Sequence, residues 1–233
     1  MDTPRRTFLL GSAAAASSLV LPLSLTAQST AGKKSENKKE EGEEDVSTNE
    51  DLMREHGVLN RILLIYDDSR RRLENKNKDK EFNPDVTIKA AGLIKKFIED
   101  YHEKLEENHL FPRFEKAGKL VELVKTLRAQ HAVGRSLTDN IIALVKAKNL
   151  DSAYASMGSF IHMYRPHEAR EDTVLFPALH EIVSRHEYDA MGEQFEAIER
   201  KTFGGDGFDM AVDQVTELEK ALGIYDLAQF TSK

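Results

Sequence analysis

One segment of the sequence occurs twice, and each copy carries a histidine and a glutamate one helical turn apart. The copies span residues 100–112 and 165–177, and both read His-Glu-x-x-Glu-acid-x-x-Leu-Phe-Pro. The paired residues are His102 and Glu106 in the first copy, and His167 and Glu171 in the second. In an α-helix, side chains at positions i and i+4 lie on the same face. Each copy therefore predicts a helix that offers an imidazole and a carboxylate to one metal ion.

The composition fits a helical protein and restricts the kinds of metal site it could hold. The chain has 233 residues, 40% of them hydrophobic and 31% charged, which is enough for one domain with tails. It has no cysteine, which excludes disulfides, iron–sulfur clusters and thiolate zinc sites. Any metal must therefore be bound by imidazole and carboxylate groups, which suit iron, manganese and zinc alike. Because the net charge is −7 and no basic face dominates, we expect no nucleic acid partner.

Hydrophobic residues recur at spacings of three and four along most of the chain, and no segment alternates as a strand would. The spacing predicts an all-α protein, with an antiparallel four-helix bundle over residues 47–200 and an amphipathic helix and tail over 201–233. Capping residues and helix breakers set the expected boundaries: a capping box at Ser47 and Glu50, Asn83 and Gly118 around the second helix, and Asp151 as the cap of the fourth. Pro112 predicts a kink near the end of the second helix, and Pro166 predicts a kink in the fourth helix beside the site.

Each of the four predicted helices carries one histidine on its apolar face. These histidines are His56, His102, His131 and His167, and Glu106 and Glu171 follow the second and fourth by one turn. A single such histidine is most often a hydrogen-bonded core residue, which leaves a metal-free helical module open. Burying all six groups without compensation is costly for each unpaired charge, and no Lys or Arg shares these faces. The set therefore predicts one or two bound cations, with the two glutamates between them.

The ordering His, His-x-x-x-Glu, His, His-x-x-x-Glu on successive helices resembles the hemerythrin-like, or HHE cation-binding, domain. The resemblance covers about residues 49–200, and the doubled Leu-Phe-Pro is also typical of that family. It implies a non-haem di-iron centre whose ligands are His56, His102, Glu106, His131, His167 and Glu171, with the two glutamates as bridges. It further implies that the centre binds or senses oxygen, peroxide or nitric oxide. A di-iron oxidase or peroxidase-like enzyme and a metal storage or sensing protein are the alternatives.

One position departs from the pattern of the oxygen-carrying hemerythrins. Those proteins have a second histidine one turn after the third-helix histidine, and here that position is Arg135. Glu103 or water could fill the resulting gap, which favours oxidation chemistry or sensing over reversible oxygen carriage. We expect the Arg135 side chain to be solvated, with an anion held in the cavity as the alternative.

The other histidines and the tyrosines are weaker candidates. His109 falls on the same predicted face as His102, but its counterpart in the second copy is Val174, which favours packing. We expect three further histidines to lie away from the site, namely His162, His180 and His186. Three tyrosines could donate hydrogen bonds to ligands, although packing in the core is their more common role: Tyr66, Tyr101 and Tyr164.

The first 27 residues are predicted to be an export signal. Arg5 and Arg6 precede Phe8 and an apolar run over residues 10–25, which resembles a twin-arginine signal. A membrane anchor is the alternative, because the run approaches the length of a short span. We expect a periplasmic or extracytoplasmic protein with a charged, disordered linker over residues 28–46 and no stable membrane span after cleavage. The C-terminal helix could support a homodimer.

Overall fold

The computed structural model describes residues 46–74 and 83–232, and within those ranges it is helical with no strand. The helices are α1 (Thr48–Glu74), α2 (residues 85–117), α3 (Val121–Lys146), α4 (residues 150–179), α5 (Arg185–Phe203) and α6 (Gly207–Leu222), followed by a 3₁₀ turn (Leu227–Phe230). The predicted all-α fold is confirmed. The expected export signal and nearly all of the linker lie outside the described residues.

Helices α1 to α4 form the four-helix bundle, and each of them packs against two of the others. The neighbouring pairs are α1 with α2, α2 with α3, α3 with α4, and α4 with α1. The buried side of α3 is the predicted one, from Val124 through His131 to Val145. Because hydrophobic residues at helical spacing form one continuous stripe, α3 buries that stripe along its whole length. Each of the four helices thus turns one predicted histidine toward the interior.

Helices α2 and α4 are interrupted by π-helical segments. These segments are Ile94–His102 and Glu106–Leu110 in α2, and Glu171–Leu175 in α4. A π turn holds one more residue than an α turn, so it shifts the buried face of the helix after it. Leu110 and Leu175 are accordingly fully buried, whereas the predicted His109 and Val174 are only partly so. The regular 3.6-residue period was wrong at these two turns.

The helix ends follow the capping chemistry of the sequence with one correction. The Ser47 hydroxyl accepts a hydrogen bond from the Glu50 amide, 3.3 Å away, and Gly118 ends α2 with a φ of 65°. The cap of α4 is Asn149 rather than Asp151, because the side-chain Oδ1 of Asn149 accepts a hydrogen bond from the Ser152 amide at 3.4 Å. Asn149 has a non-helical backbone, whereas Asp151 already lies within the first turn.

The C-terminal helix α6 packs against α1 and α2. Arg61 of α1 holds it through Glu219, 2.5 Å away, and through the Thr216 hydroxyl at 2.8 Å. Of the apolar tail side chains, Ile224 is buried, but Leu227 and Phe230 stay exposed. Across the described part of the chain, no helix has both the length and the apolar character required to span a bilayer.

Candidate metal centre

The middle of the bundle brings the six predicted ligands together from four helices. They form two groups, His56 with His102 and Glu106, and His131 with His167 and Glu171. Within each group, one nitrogen or oxygen from every side chain lies within 4.8 Å of the others. All six residues are buried, with exposures of 4% or less. The motif copies therefore meet across the bundle axis, and each takes its third member from the neighbouring helix.

Each glutamate contacts both groups. The Oε2 atom of Glu106 lies 3.8 Å from His102 Nε2 and 3.4 Å from His131 Nε2. The Oε2 atom of Glu171 lies 3.1 Å from His167 Nε2 and 3.4 Å from His56 Nε2. Both carboxylates thus lie between the two groups, as bridging ligands would. The Nε2 atoms also approach one another in pairs, at 3.0 Å between His56 and His102 and 3.2 Å between His131 and His167.

Every one of the four histidines has an acceptor on its other ring nitrogen. The Nδ1 contacts are Glu55 with His102 at 2.7 Å, Asp172 with His56 at 2.7 Å, Glu107 with His131 at 3.2 Å, and Gln130 with His167 at 2.9 Å. An acceptor on Nδ1 keeps the proton there and leaves the Nε2 lone pair free. The four lone pairs therefore point into the same small volume.

The duplicated Leu-Phe-Pro places an aromatic ring beside each histidine that has no glutamate one turn later on its own helix. Phe111 of α2 stacks on His131 of α3, and Phe176 of α4 stacks on His56 of α1, each with ring centroids 5.5 Å apart. Both rings are fully buried. The Phe of each copy therefore fixes the plane of an imidazole on the neighbouring helix and keeps water away from it.

The electrostatics of the centre favour a bound cation. Burial lowers the pKa of His102 and takes the pKa of His131 down to about 4, so these imidazoles are neutral and able to ligate. Burial and the adjacent Glu171 raise the pKa of Glu106. Burial also raises the pKa of Glu171, but His167 and His56 outweigh that effect and lower it.

The two central glutamates, Glu106 and Glu171, provide the test of whether a cation fits. All four of their carboxylate oxygens are buried and have no hydrogen-bond partner among the described residues. Buried polar atoms in folded proteins are nearly always hydrogen-bonded. Four buried carboxylate oxygens without hydrogen bonds, facing four imidazoles, make a site that is rich in potential metal ligands. A cation or a pair of cations satisfies such a site.

Arg135 is not the solvated side chain expected from the sequence. Its Nη2 atom lies 2.6 Å from Glu103 Oε2 and 2.7 Å from Glu107 Oε1, and the residue is 29% exposed. The Tyr164 hydroxyl donates to Glu103 Oε1 at 2.6 Å. Glu103 is therefore held by two neighbours, and Tyr164 has a polar role beyond packing. The acidic neighbours of Arg135 on α2 could not be placed opposite it without the fold.

The remaining histidines stay outside the centre, as predicted. His109 packs on Phe195 with ring centroids 5.6 Å apart, and His180 packs on Tyr188 at 4.3 Å. His162 and His186 are exposed. Tyr66 and Tyr101 are buried in the core. Throughout residues 46–74 and 83–232, none of these four histidines joins a group of potential metal ligands.

The outer partners of the histidines were missed, although the sequence carried a signal for them. Glu55 and Gln130 directly precede His56 and His131, the two histidines without a glutamate one turn later on the same helix. Glu107 and Asp172 occupy the repeated acidic position of the motif. That repeated acid supports the unpaired histidine on the adjacent helix, so its recurrence had a structural meaning.

A four-helix bundle whose core gathers imidazoles and carboxylates defines a class of cation-binding helical domains. The model of the hemerythrin HHE cation binding domain family matches residues 47–179 of the chain. This protein belongs to that family.

Relatives of similar length are found in mycobacteria. Uncharacterized proteins Rv1995 of Mycobacterium tuberculosis and Mb2018 of Mycobacterium bovis are each 45% identical to it, over 97% of this chain and 90% of their own. No solved structure matches the chain.

Proposed function

We propose that the protein binds two iron ions and that this centre binds or senses oxygen or a related small oxidant such as peroxide or nitric oxide. The observation that carries the proposal is the set of four buried, unpartnered oxygens of Glu106 and Glu171 among four imidazoles. His56 and His102 would hold one ion and His131 and His167 the other, with both glutamates as bridges. Bound iron would supply the redox chemistry.

The protein's own side chains prepare the centre for such a ligand. The Nδ1 acceptors fix the orientation of every imidazole, and His102 and His131, whose pKa values burial lowers, need no proton removed before they ligate. Phe111 and Phe176 exclude water from two of the rings. The buried, aromatic surroundings suit a small uncharged or singly charged ligand.

Metal analysis combined with absorption spectroscopy tests the proposal. The full chain is purified without oxygen from iron-replete cells, analysed for metal, and then exposed to air. About two irons per chain, with new near-ultraviolet and visible bands of ferric iron, are expected. Zinc, or no metal, would refute the iron centre.

A matched pair of histidine variants ties the metal to the site. His102→Ala should lose most of the iron, because His102 is fully buried with its Nε2 facing the centre. His109→Ala lies seven residues later on α2, outside the ligand groups, and should keep its iron. Equal iron contents in the two variants would contradict the assignment.

We also propose that residues 1–27 direct export by the twin-arginine route. The support is the Arg5-Arg6 pair before an apolar run. Fusing these residues to a reporter protein and replacing both arginines by lysine tests it. Export that persists unchanged after the replacement would overturn the proposal.

A further inference from the structure

The metal centre is built from two halves that correspond residue by residue, and they differ at one contact. The residue after each motif histidine is a buried glutamate, Glu103 in α2 and Glu168 in α4, each 2% exposed or less. Each of these glutamates has a partner on a neighbouring helix, and this partner lies one turn after that helix's own histidine, His131 or His56. This partner is Arg135 for Glu103 and Asn60 for Glu168.

Glu103 is engaged at both of its carboxylate oxygens. Tyr164 donates to Oε1 at 2.6 Å. Oε2 accepts no hydrogen bond, but the Arg135 guanidinium lies 2.6 Å from it and compensates its charge as an ion pair. We call these two contacts on Glu103 the clamp. They join three helices, because Glu103 lies on α2, Arg135 on α3 and Tyr164 on α4. Gly134 lets Tyr164 approach α3, since a Cβ at that position would lie only 2.0 Å from the tyrosine oxygen.

Glu168 is engaged at one oxygen only. The Asn60 amide donates to Oε2, while Oε1 is buried and has no hydrogen-bond partner within the described ranges. Asn60 carries no charge, so nothing in this contact compensates a carboxylate as Arg135 compensates Glu103. The Glu103 carboxylate is therefore restrained by two neighbours, whereas the Glu168 carboxylate has one oxygen without a partner among the described residues.

We propose that Arg135 and Tyr164 hold Glu103 away from the metal bound by His131 and His167, and so keep a coordination position open there for a small exogenous ligand. Glu168, with its free oxygen, can complete the coordination of the metal bound by His56 and His102. Arg135 acts as a positioning residue, through Glu103 rather than by touching the ligand. The inference rests on the proposed function, because it requires metal in both halves.

Azide is a suitable probe, because this small anion binds ferric iron only where a coordination position is open. Iron-loaded full-length protein is titrated with azide and followed by its visible absorption, with iron content measured for every variant. Arg135→Met frees Glu103, which should then occupy the position and weaken azide binding by roughly tenfold or more. Adding Glu103→Gln to Arg135→Met should restore the wild-type affinity, since a neutral amide is a poorer ligand.

Two controls are available in the chain. Lys125→Met removes another cation of α3, one that is exposed and pairs with Glu122, and should leave azide binding unchanged. Asn60→Ala removes the counterpart of Arg135 in the other half and should also leave it unchanged, because Glu168 already has a free oxygen.

The outcomes separate the competing explanations. Unchanged azide affinity in Arg135→Met with both irons retained overturns the clamp. Weak binding that Glu103→Gln does not restore also overturns it, because Arg135 would then contact the anion directly. If Arg135→Met does not retain iron, Tyr164→Phe decides, since it frees only Oε1 of Glu103: weaker azide binding supports the clamp, and unchanged binding refutes it. Wild-type protein without iron refutes the proposed function instead.

Discussion

At the scale of single residues, small side chains decide how closely the polar groups of the centre approach one another. Gly134 lies on the buried face of α3. Its importance became visible only in the structure, where the Tyr164 hydroxyl occupies the space that a Cβ would take. Gly57 is also helical, but it is exposed and a Cβ there would meet nothing within 4 Å.

Alanine at these two glycines should therefore have opposite effects on stability. Gly134→Ala should destabilise the protein by about 1–3 kcal/mol, because Tyr164 must move out of a packed interior. Gly57→Ala should stabilise it by up to about 1 kcal/mol, because alanine favours the helix over the unfolded chain. Urea unfolding followed by circular dichroism measures both free energies. Equal effects at the two positions would contradict the contact with Tyr164.

At the scale of the helices, the π turns determine which side chains face the core after each motif glutamate. Both short π segments begin at a bridging residue, Glu106 or Glu171. The extra residue in each turn brings the following Leu and Phe inward, where the Phe reaches a histidine on the neighbouring helix. The motif spacing and the π turn thus work together, since the first places the ligands and the second places the aromatic ring.

Deleting one exposed residue from a π turn should be tolerated better than deleting one from a regular α-helix. Without Asn108, the turn over Glu106–Leu110 can become an ordinary α turn, and the residues after it keep their buried side. Without Ser136, the rest of α3 rotates by about 100°, which moves Ile141 and Val145 away from the core.

Thermal unfolding and iron content distinguish the two deletions. The Asn108 deletion should unfold cooperatively and keep its iron. The Ser136 deletion should lose its iron and unfold without a cooperative transition. A lower melting temperature and iron content in the Asn108 deletion than in the Ser136 deletion would show that the π turn does not arise from one inserted residue in an otherwise regular helix.

At the scale of the whole molecule, the centre makes stability depend on metal. Burial and the adjacent Glu171 raise the pKa of Glu106, so keeping both carboxyl groups in the metal-free core costs free energy. A ligand that binds only the folded state stabilises it, by about 4 kcal/mol at a concentration a thousandfold above its dissociation constant. The same residues that weaken the metal-free fold should therefore strengthen the loaded one.

Glu106→Gln should reverse the order of stability between the two states. In metal-free protein the variant should melt at a higher temperature than the wild type, because a neutral amide avoids the cost of burying an ionisable carboxyl beside Glu171. With iron present it should melt at a lower temperature, because a bridging ligand is lost. Differential scanning calorimetry with and without chelator measures both, and Glu193→Gln, at an exposed position, is the control. A variant that melts below the wild type in both states would count against this cost of burying the Glu106 carboxyl at the centre.

The sequence by itself determined the four-helix fold and the six residues that meet at its centre. Both depend on short-range periodicity: an apolar stripe defines the buried face of a helix, and i to i+4 spacing puts His102 with Glu106 and His167 with Glu171. Only the tertiary structure decided which side of α2 and α4 is buried after their π turns. Leu110 rather than His109, and Leu175 rather than Val174, are the residues buried in the core.

The tertiary structure also decided the partners of Arg135. Glu103 and Tyr164 come from two other helices, and their contact with Arg135 depends on how α2, α3 and α4 pack. Spacing along one helix specifies neighbours on that helix. Contacts between helices depend on packing distance and rotation, and those quantities are fixed only when the whole core is assembled.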